Sequence, residues 1–83
     1  MRYEVTTKLT PQEALQRAIT HFGPQGMGLE IIDQNEACLV LEGGGGHVAV
    51  TACPGKTPGE KTTVELETRE WDYAVRQFMD QVP

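Results

Sequence analysis

The spacing of apolar residues changes along the chain from period two to helical and back. Residues 2–9 alternate between apolar and polar side chains, which predicts a half-buried strand. Thr10 and Glu13 then have the spacing of a capping box, with Pro11 at the first helical position. Apolar residues continue at helical spacing as far as Phe22, so we predict a helix directly after the first strand.

The middle of the chain predicts four short strands joined by tight connections. We place these strands at residues 28–33, 36–42, 47–53 and 61–68. Gln34-Asn35 and the four glycines at 43–46 predict hairpin turns, because asparagine and glycine tolerate left-handed backbone angles. Residues 54–60 are rich in proline and glycine and predict a loop.

A second helix is predicted from about Glu70 to the end of the chain. Its apolar stripe consists of Trp71, Ala74, Val75, Phe78, Met79 and Val82. The resulting order, β-α-β-β-β-β-α, predicts an α+β two-layer sandwich, a five-stranded antiparallel sheet with both helices on one face. Arg2 and Lys8 on the first strand would complement Glu65 and Glu67 on the last, which predicts the strand order 1-5-4-3-2.

This order of elements resembles the TATA-binding-protein-like fold. It is also similar to a minimal form of the helix-grip domains of START-type lipid carriers and polyketide-cyclase-like proteins. The capped segment 10–15 and the helix from Trp71 to Val82 carry the resemblance, which spans the chain as a pattern of elements. The first resemblance implies a sheet face that contacts nucleic acid, and the second implies a lipid or other apolar ligand.

Composition and charge limit the number of domains, the partners and the location that we expect for this chain. A chain of 83 residues predicts one domain, 1–83, with a modest core. Its 12 acidic and 7 basic residues give a net charge of −5, which argues against a nucleic-acid partner. We find neither an apolar run of the ~20 residues that a membrane helix needs nor a signal-peptide pattern, so we expect no membrane contact and a cytoplasmic location.

The glycine run at 43–46 and the two cysteines are the conspicuous candidates for chemistry. A phosphate-binding loop is followed by Lys-Ser/Thr at the start of a helix, but His47-Val48 follow this run. The run therefore fits a hairpin tip better, or a mobile loop that closes over a partner. Cys38 and Cys53 share a sheet face and could be small semi-apolar fillers, a redox pair, or a metal site with His47. We expect no metal or cofactor, and no catalytic motif is present.

Two functional hypotheses remain. The outward sheet face is less polar than a free surface requires, which suggests a non-catalytic interaction module that forms a homodimer. The candidate residues of this face are Ile32, Cys38, Val40, Ala49, Thr51 and Cys53. The alternative is a carrier of a small hydrophobic ligand, with a groove between the sheet and the C-terminal helix. The groove would be lined by Phe22, Trp71, Phe78 and Met79, which could equally be ordinary core residues.

Overall fold

Five strands form one antiparallel sheet in the computed structural model, which describes residues 1–55 and 60–83. The elements are β1 (Arg2–Thr7), α1 (Pro11–Phe22), β2 (Glu30–Gln34), β3 (Cys38–Gly43), β4 (Gly46–Cys53), β5 (Thr62–Arg69) and α2 (Asp72–Gln81). The strand order is β1-β5-β4-β3-β2. The predicted α+β class, element order and strand order are therefore confirmed. Part of the predicted 54–60 loop lies outside the described residues.

Helix α1 begins with the predicted capping box. The Thr10 hydroxyl accepts a hydrogen bond from the Glu13 amide at 3.1 Å, and the Glu13 carboxylate accepts one from the Thr10 amide at 2.9 Å. The hydrogen bond from the Thr10 backbone amide is the largest cause that lowers the pKa of Glu13, and the Thr10 side chain lowers it further. The helix ends where the Gly23 amide donates to the Ile19 carbonyl at 2.8 Å. Both ends of this helix thus follow from local sequence chemistry.

Strand β1 is two residues shorter than predicted. Beyond Thr7 the chain turns away, because the Thr7 hydroxyl and the Lys8 amide both donate to the carbonyl of Pro83. Lys8 therefore lies outside the strand and contributes nothing to its pairing with β5. In the observed register Arg2 lies opposite Glu67, as the charge argument requires, but Glu4 lies opposite another glutamate. The strand order was right, while only half of its electrostatic argument holds.

The apolar residues of β1 supply the remaining reason for its place. Val5 lies opposite Val64, and Tyr3 lies opposite Leu66, on the side of the sheet that faces the helices. Cross-strand pairs of aromatic and branched side chains stabilise antiparallel sheets. Burial of Tyr3 and Val5 against the core therefore favours the position of β1 beside β5, in addition to the pairing of Arg2 with Glu67.

The predicted two-residue turn at Gln34-Asn35 is wrong. Strand β2 continues through Gln34, and residues 35–37 form the connection. The Asn35 side-chain oxygen accepts hydrogen bonds from the amides of Ala37 and Cys38, each at 2.9 Å, so the asparagine closes the loop through its side chain. Ala37, which lies inside the strand predicted at residues 36–42, belongs to this connection and is exposed.

The glycine run forms a tighter turn than the predicted four-residue connection. Gly43 pairs with Gly46, and the turn itself contains only Gly44 and Gly45, whose φ angles are 58° and 81°. Left-handed angles at both central residues are the type I′ geometry that matches the twist of a hairpin. The Trp71 indole N–H donates to the Gly43 carbonyl at 2.8 Å and its ring lies against Gly44, so the hairpin tip is packed.

Helix α2 begins at Asp72 rather than near Glu70, and Glu70 takes a left-handed φ of 74° immediately before Trp71. Both helices pack on one face of the sheet, and the core lies between the two layers. The residues buried in the core are Ala14, Leu15, Ala18, Phe22, Leu29, Leu39, Leu41, Val48, Val50, Ala52, Val64, Leu66, Ala74, Val75 and Phe78. In the described part of the chain, neither helix is long and apolar enough to cross a membrane.

The close packing at the hairpin predicts different costs at neighbouring glycines. A Cβ at Gly46 would lie 2.1 Å from the backbone oxygen of Arg69, so Gly46→Ala should lower the free energy of unfolding by about 2–3 kcal/mol. Gly45→Ala meets nothing within 4 Å and should cost only the left-handed backbone strain of about 1 kcal/mol. Urea unfolding of both variants measures the difference, and equal losses would contradict the close approach of β4 to β5 at this point.

Candidate functional site

The face of the sheet opposite the helices is the candidate functional site, and we refer to it as the open face. Side chains alternate between the two faces of a sheet, so the register of the strands fixes its members. They are Arg2, Glu4, Thr6, Glu30, Asp33, Cys38, Val40, Glu42, His47, Ala49, Thr51, Cys53, Thr63, Glu65, Glu67 and Arg69. These residues are half-buried or exposed, whereas most of their neighbours in β3, β4 and β5 are buried in the core.

Four uncharged residues on β3 and β4 occupy the middle of the open face, and we call them the central block. Val40 lies opposite Ala49, and Cys38 lies opposite Thr51, in the register that the glycine hairpin predicts. All four are half-buried. The Cys38 sulfur lies 3.8 Å from the Thr51 hydroxyl. Four of the six residues predicted for a self-association face are thus adjacent.

Of the other two predicted residues, Cys53 continues the open face beyond Thr51 on β4, whereas Ile32 is removed from the block. Ile32 sits at an irregularity of β2, where the register shifts between Ile31 and Asp33, and it is 51% exposed. The shift places Asp33, a charged residue, opposite Val40. A single added residue in a strand is a β-bulge, which alternation of the sequence does not reveal.

Cys53 lies at the end of β4, opposite Thr63 on β5 and diagonal to Cys38 on β3, and is exposed. Both thiols are free. Within residues 1–55 and 60–83, no group of three or more His, Cys, Asp or Glu side chains could hold a metal ion. The positions of the cysteines therefore give no support to a bridge or to a metal site with His47.

A row of charged side chains crosses the open face beside the glycine turn, and we call it the charged row. Glu30 lies opposite Glu42, which lies opposite His47, which lies opposite Arg69. The acidic members are on β2 and β3, and the basic members are on β4 and β5. The row thus has an acidic end and a basic end.

Next to this row, His47 and Glu67 form a hydrogen-bonded pair across β4 and β5. The two side chains meet at 2.7 Å between Nε2 and a carboxylate oxygen. Because a carboxylate only accepts, the Nε2 of His47 must carry the proton. This hydrogen bond is the main cause that lowers the pKa of Glu67, with smaller contributions from the charges of His47, the N-terminus and Arg2.

The remaining part of the open face is acidic and slightly hollow. A shallow depression of about 570 Å³ lies over β1, β5 and β4, and Glu4, Glu65 and Glu67 are among the residues that line it. In the described strands the whole face contains six carboxylates and two guanidinium groups. Such a surface repels anions, so the arrangement favours recognition of a protein surface over recognition of a phosphate or a nucleic acid.

The residues predicted for a ligand groove do not lie around one space. Phe22 and Phe78 are 0% and 2% exposed and pack together in the core, with ring centroids 5.4 Å apart. Trp71 lies on the glycine turn, and Met79 is partly buried against the core. Of the four, Phe78 alone lines a distinct cleft of about 490 Å³ between α1 and α2.

This cleft was missed in the sequence because a loop residue helps to form it. Met27, in the connection after α1, is 36% exposed and lines the cleft with Phe78 and Val82. His21 lies on its α1 side and donates from Nε2 to the Ala74 carbonyl at 3.0 Å, which joins the two helices. An apolar methionine in a loop of polar and glycine residues was the available signal.

Comparison with known proteins identifies no relative. The chain matches no family model, no curated protein and no solved structure at a significant level. The likeness to the TATA-binding-protein and helix-grip folds therefore stays at the level of element order. The residues of the open face and of the helical cleft are the remaining guides to function.

The His47–Glu67 pair predicts a pKa that can be measured. Because the hydrogen bond favours the carboxylate, its stabilising contribution is present above the unfolded-state pKa and is lost as the pH falls through the lowered folded-state pKa. His47→Ala should raise the pKa of Glu67 toward its ordinary value of 4.5, as followed by NMR titration of the carboxyl carbons. The pKa of Glu13, lowered by Thr10, is the internal control and should not move. An unchanged Glu67 would contradict the pairing.

Proposed function

We propose that the protein is a non-catalytic interaction module that associates with a second copy of itself through the open face. The observation that carries this proposal is the central block, an uncharged and partly apolar patch of Cys38, Val40, Ala49 and Thr51 that is bordered by charged side chains on β2, on β5 and toward the glycine turn. A less polar centre within a charged rim is the usual anatomy of a protein interface. Sheets pack well through such faces when small side chains allow them to approach to about 10 Å.

The size of the open face predicts a weak dimer. Five strands about 4.8 Å apart, with a rise of about 3.3 Å per residue, present roughly 500 Å² on each protomer. A dimer that covers all five strands would bury roughly 1,000 Å² in total, at the lower limit of specific interfaces, and one that covers four strands would bury roughly 800 Å². The net charge of −5 on each protomer opposes association, and because added salt screens this repulsion it should strengthen the dimer.

The salt dependence separates self-association from binding of a basic partner. Attraction between an acidic face and a cationic protein or peptide weakens as salt screens the charges. A nucleic acid is disfavoured more simply, because the open face, over its described strands, has six carboxylates against two guanidinium groups and no Phe, Tyr or Trp side chain on which bases could stack. We therefore expect a protein partner, and a second copy of this chain is the one that we propose.

Val40→Lys tests the proposal, because it places a charge at the centre of the proposed interface. We expect the wild-type protein to form a dimer between about 10 μM and 1 mM, and the variant to associate at least about tenfold more weakly. Sedimentation equilibrium measures both. Tyr73→Lys is the matched control, since Tyr73 is 74% exposed on α2, on the other layer, and should leave the dimer unchanged. A wild-type protein that is monomeric throughout this range would refute self-association.

A second proposal, suggested by the helical cleft, is a carrier of a small apolar ligand. The cleft volume of about 490 Å³ is within the range of ligand sites, and its floor and walls include Met27, Phe78 and Val82. The ligand would lie between α1 and α2 rather than between the sheet and α2. This proposal preserves the function implied by the helix-grip resemblance and moves its site.

Octanol is a suitable probe of this cleft. We expect saturable NMR shift changes at the Met27 and Val82 methyl groups, and loss of these changes in Met27→Glu, which places a charge at the rim. Tyr73→Glu, an equal change at an exposed position outside the cleft, should retain them. Shifts that are non-saturable, or that spread over the whole surface, would count against a ligand site.

A further inference from the structure

We infer that the open face is self-complementary in one register, with the two-fold axis of the dimer parallel to the strands and between β3 and β4. This inference rests on the proposed self-association and specifies how the two copies meet. It follows from the positions of the central block and the charged row. The partner is a second copy of this chain in a defined orientation.

The central block determines where the axis passes. Its residues lie on β3 and β4, with Asp33 beside it on β2, and Glu65 and Glu67 beside it on β5. An interface is most stable when its least polar part lies at the centre and its charges lie at the rim. A two-fold axis through the block therefore superimposes each block on that of the partner.

Two orientations of the axis keep the strands of the packed sheets aligned, as sheet packing requires. With the axis parallel to the strands, each cross-strand row meets the same row of the partner in reverse order. The charged row then brings His47 toward the partner's Glu42, and Arg69 toward the partner's Glu30. By symmetry each contact occurs twice, so the basic end of each row faces the acidic end of the other.

With the axis perpendicular to the strands, charges of the same sign on β5 face one another. Glu67 would then face the partner's Glu65, while Arg69 would face the partner's Thr63 and lose its acidic neighbour. Only Arg2, opposite the partner's Glu4, would gain an unlike charge. The parallel axis is favoured because it forms both contacts of the charged row.

One contact of the parallel arrangement is unfavourable. Glu67 approaches the partner's Asp33, and this repulsion is reduced because Glu67 is hydrogen-bonded to His47 and lies beside Arg2. Asp33→Asn should therefore strengthen the dimer by about threefold. In the perpendicular arrangement Asp33 faces no residue of the acidic rows, and the same substitution should have little effect.

A mixing experiment tests the register directly. Arg69→Glu makes an entirely acidic pair with the partner's Glu30, and Glu30→Lys makes an entirely basic pair with the partner's Arg69, so each variant alone should dimerise about tenfold more weakly. In a mixture, the two substituted positions form an acid–base pair with each other, and the unchanged Arg69 and Glu30 form the native pair. We expect heterodimers of near wild-type affinity, measured by sedimentation equilibrium with one variant fluorescently labelled.

The outcomes separate the register from the proposed function. Wild-type dimers that are insensitive to both single changes, or single changes that the mixture does not rescue, would overturn the parallel register and leave self-association intact. Loss of dimers in Val40→Lys together with rescue in the mixture would support both. Thermal unfolding of each variant provides the folding control, since Arg69 and Glu30 are exposed and each new charge lies opposite an unlike neighbour on its own sheet. A monomeric wild-type protein would remove both conclusions.

Discussion

The contact between Trp71 and the glycine hairpin ties the two layers of this fold together. The indole N–H donates to the Gly43 carbonyl, and the ring occupies the space that a Cβ at Gly44 would approach to 3.0 Å. Helix α2 begins at Asp72 and has no side-chain cap among the described residues, so this contact fixes Trp71, the residue immediately before the helix. Glu70 adopts a left-handed backbone to make the connection, at a cost of about 1 kcal/mol. The direction of α2 across the sheet depends on that anchor.

Because both helices cover the same face, the other face of the sheet is uncovered. Its central block owes its position to the glycine turn, since the turn sets the register that places Val40 opposite Ala49. The same register aligns His47 with Glu42, while the separate register of β4 with β5 aligns His47 with Arg69. The hairpin therefore sets which side chains of β3 and β4 enter the core and which lie on the open face. The proposed function is a consequence of how this chain covers only one side of its sheet.

Local chemistry explains which elements were predictable. The capping box at Thr10 defined the start of α1, and alternation in β4 assigned its residues correctly to the two faces. The prediction failed where side chains made unexpected hydrogen bonds or where distant segments met. The Asn35 side chain accepts a hydrogen bond that closes its loop, and the Lys8 amide donates to the Pro83 carbonyl instead of continuing β1. The β2 bulge likewise placed Asp33, and not Ile32, opposite Val40.

The sequence by itself determined the class of fold, the order of its elements, the order of its strands and the uncharged centre of the open face, because these follow from periodicity, capping and turn chemistry. The tertiary structure alone decided that Trp71 packs on the glycine turn and that Phe22 and Phe78 fill the core instead of a groove. It also decided that Met27 borders a cleft between the helices. The reason is physical: each of these contacts joins residues far apart in the chain, and no local pattern encodes which distant partner a side chain will meet.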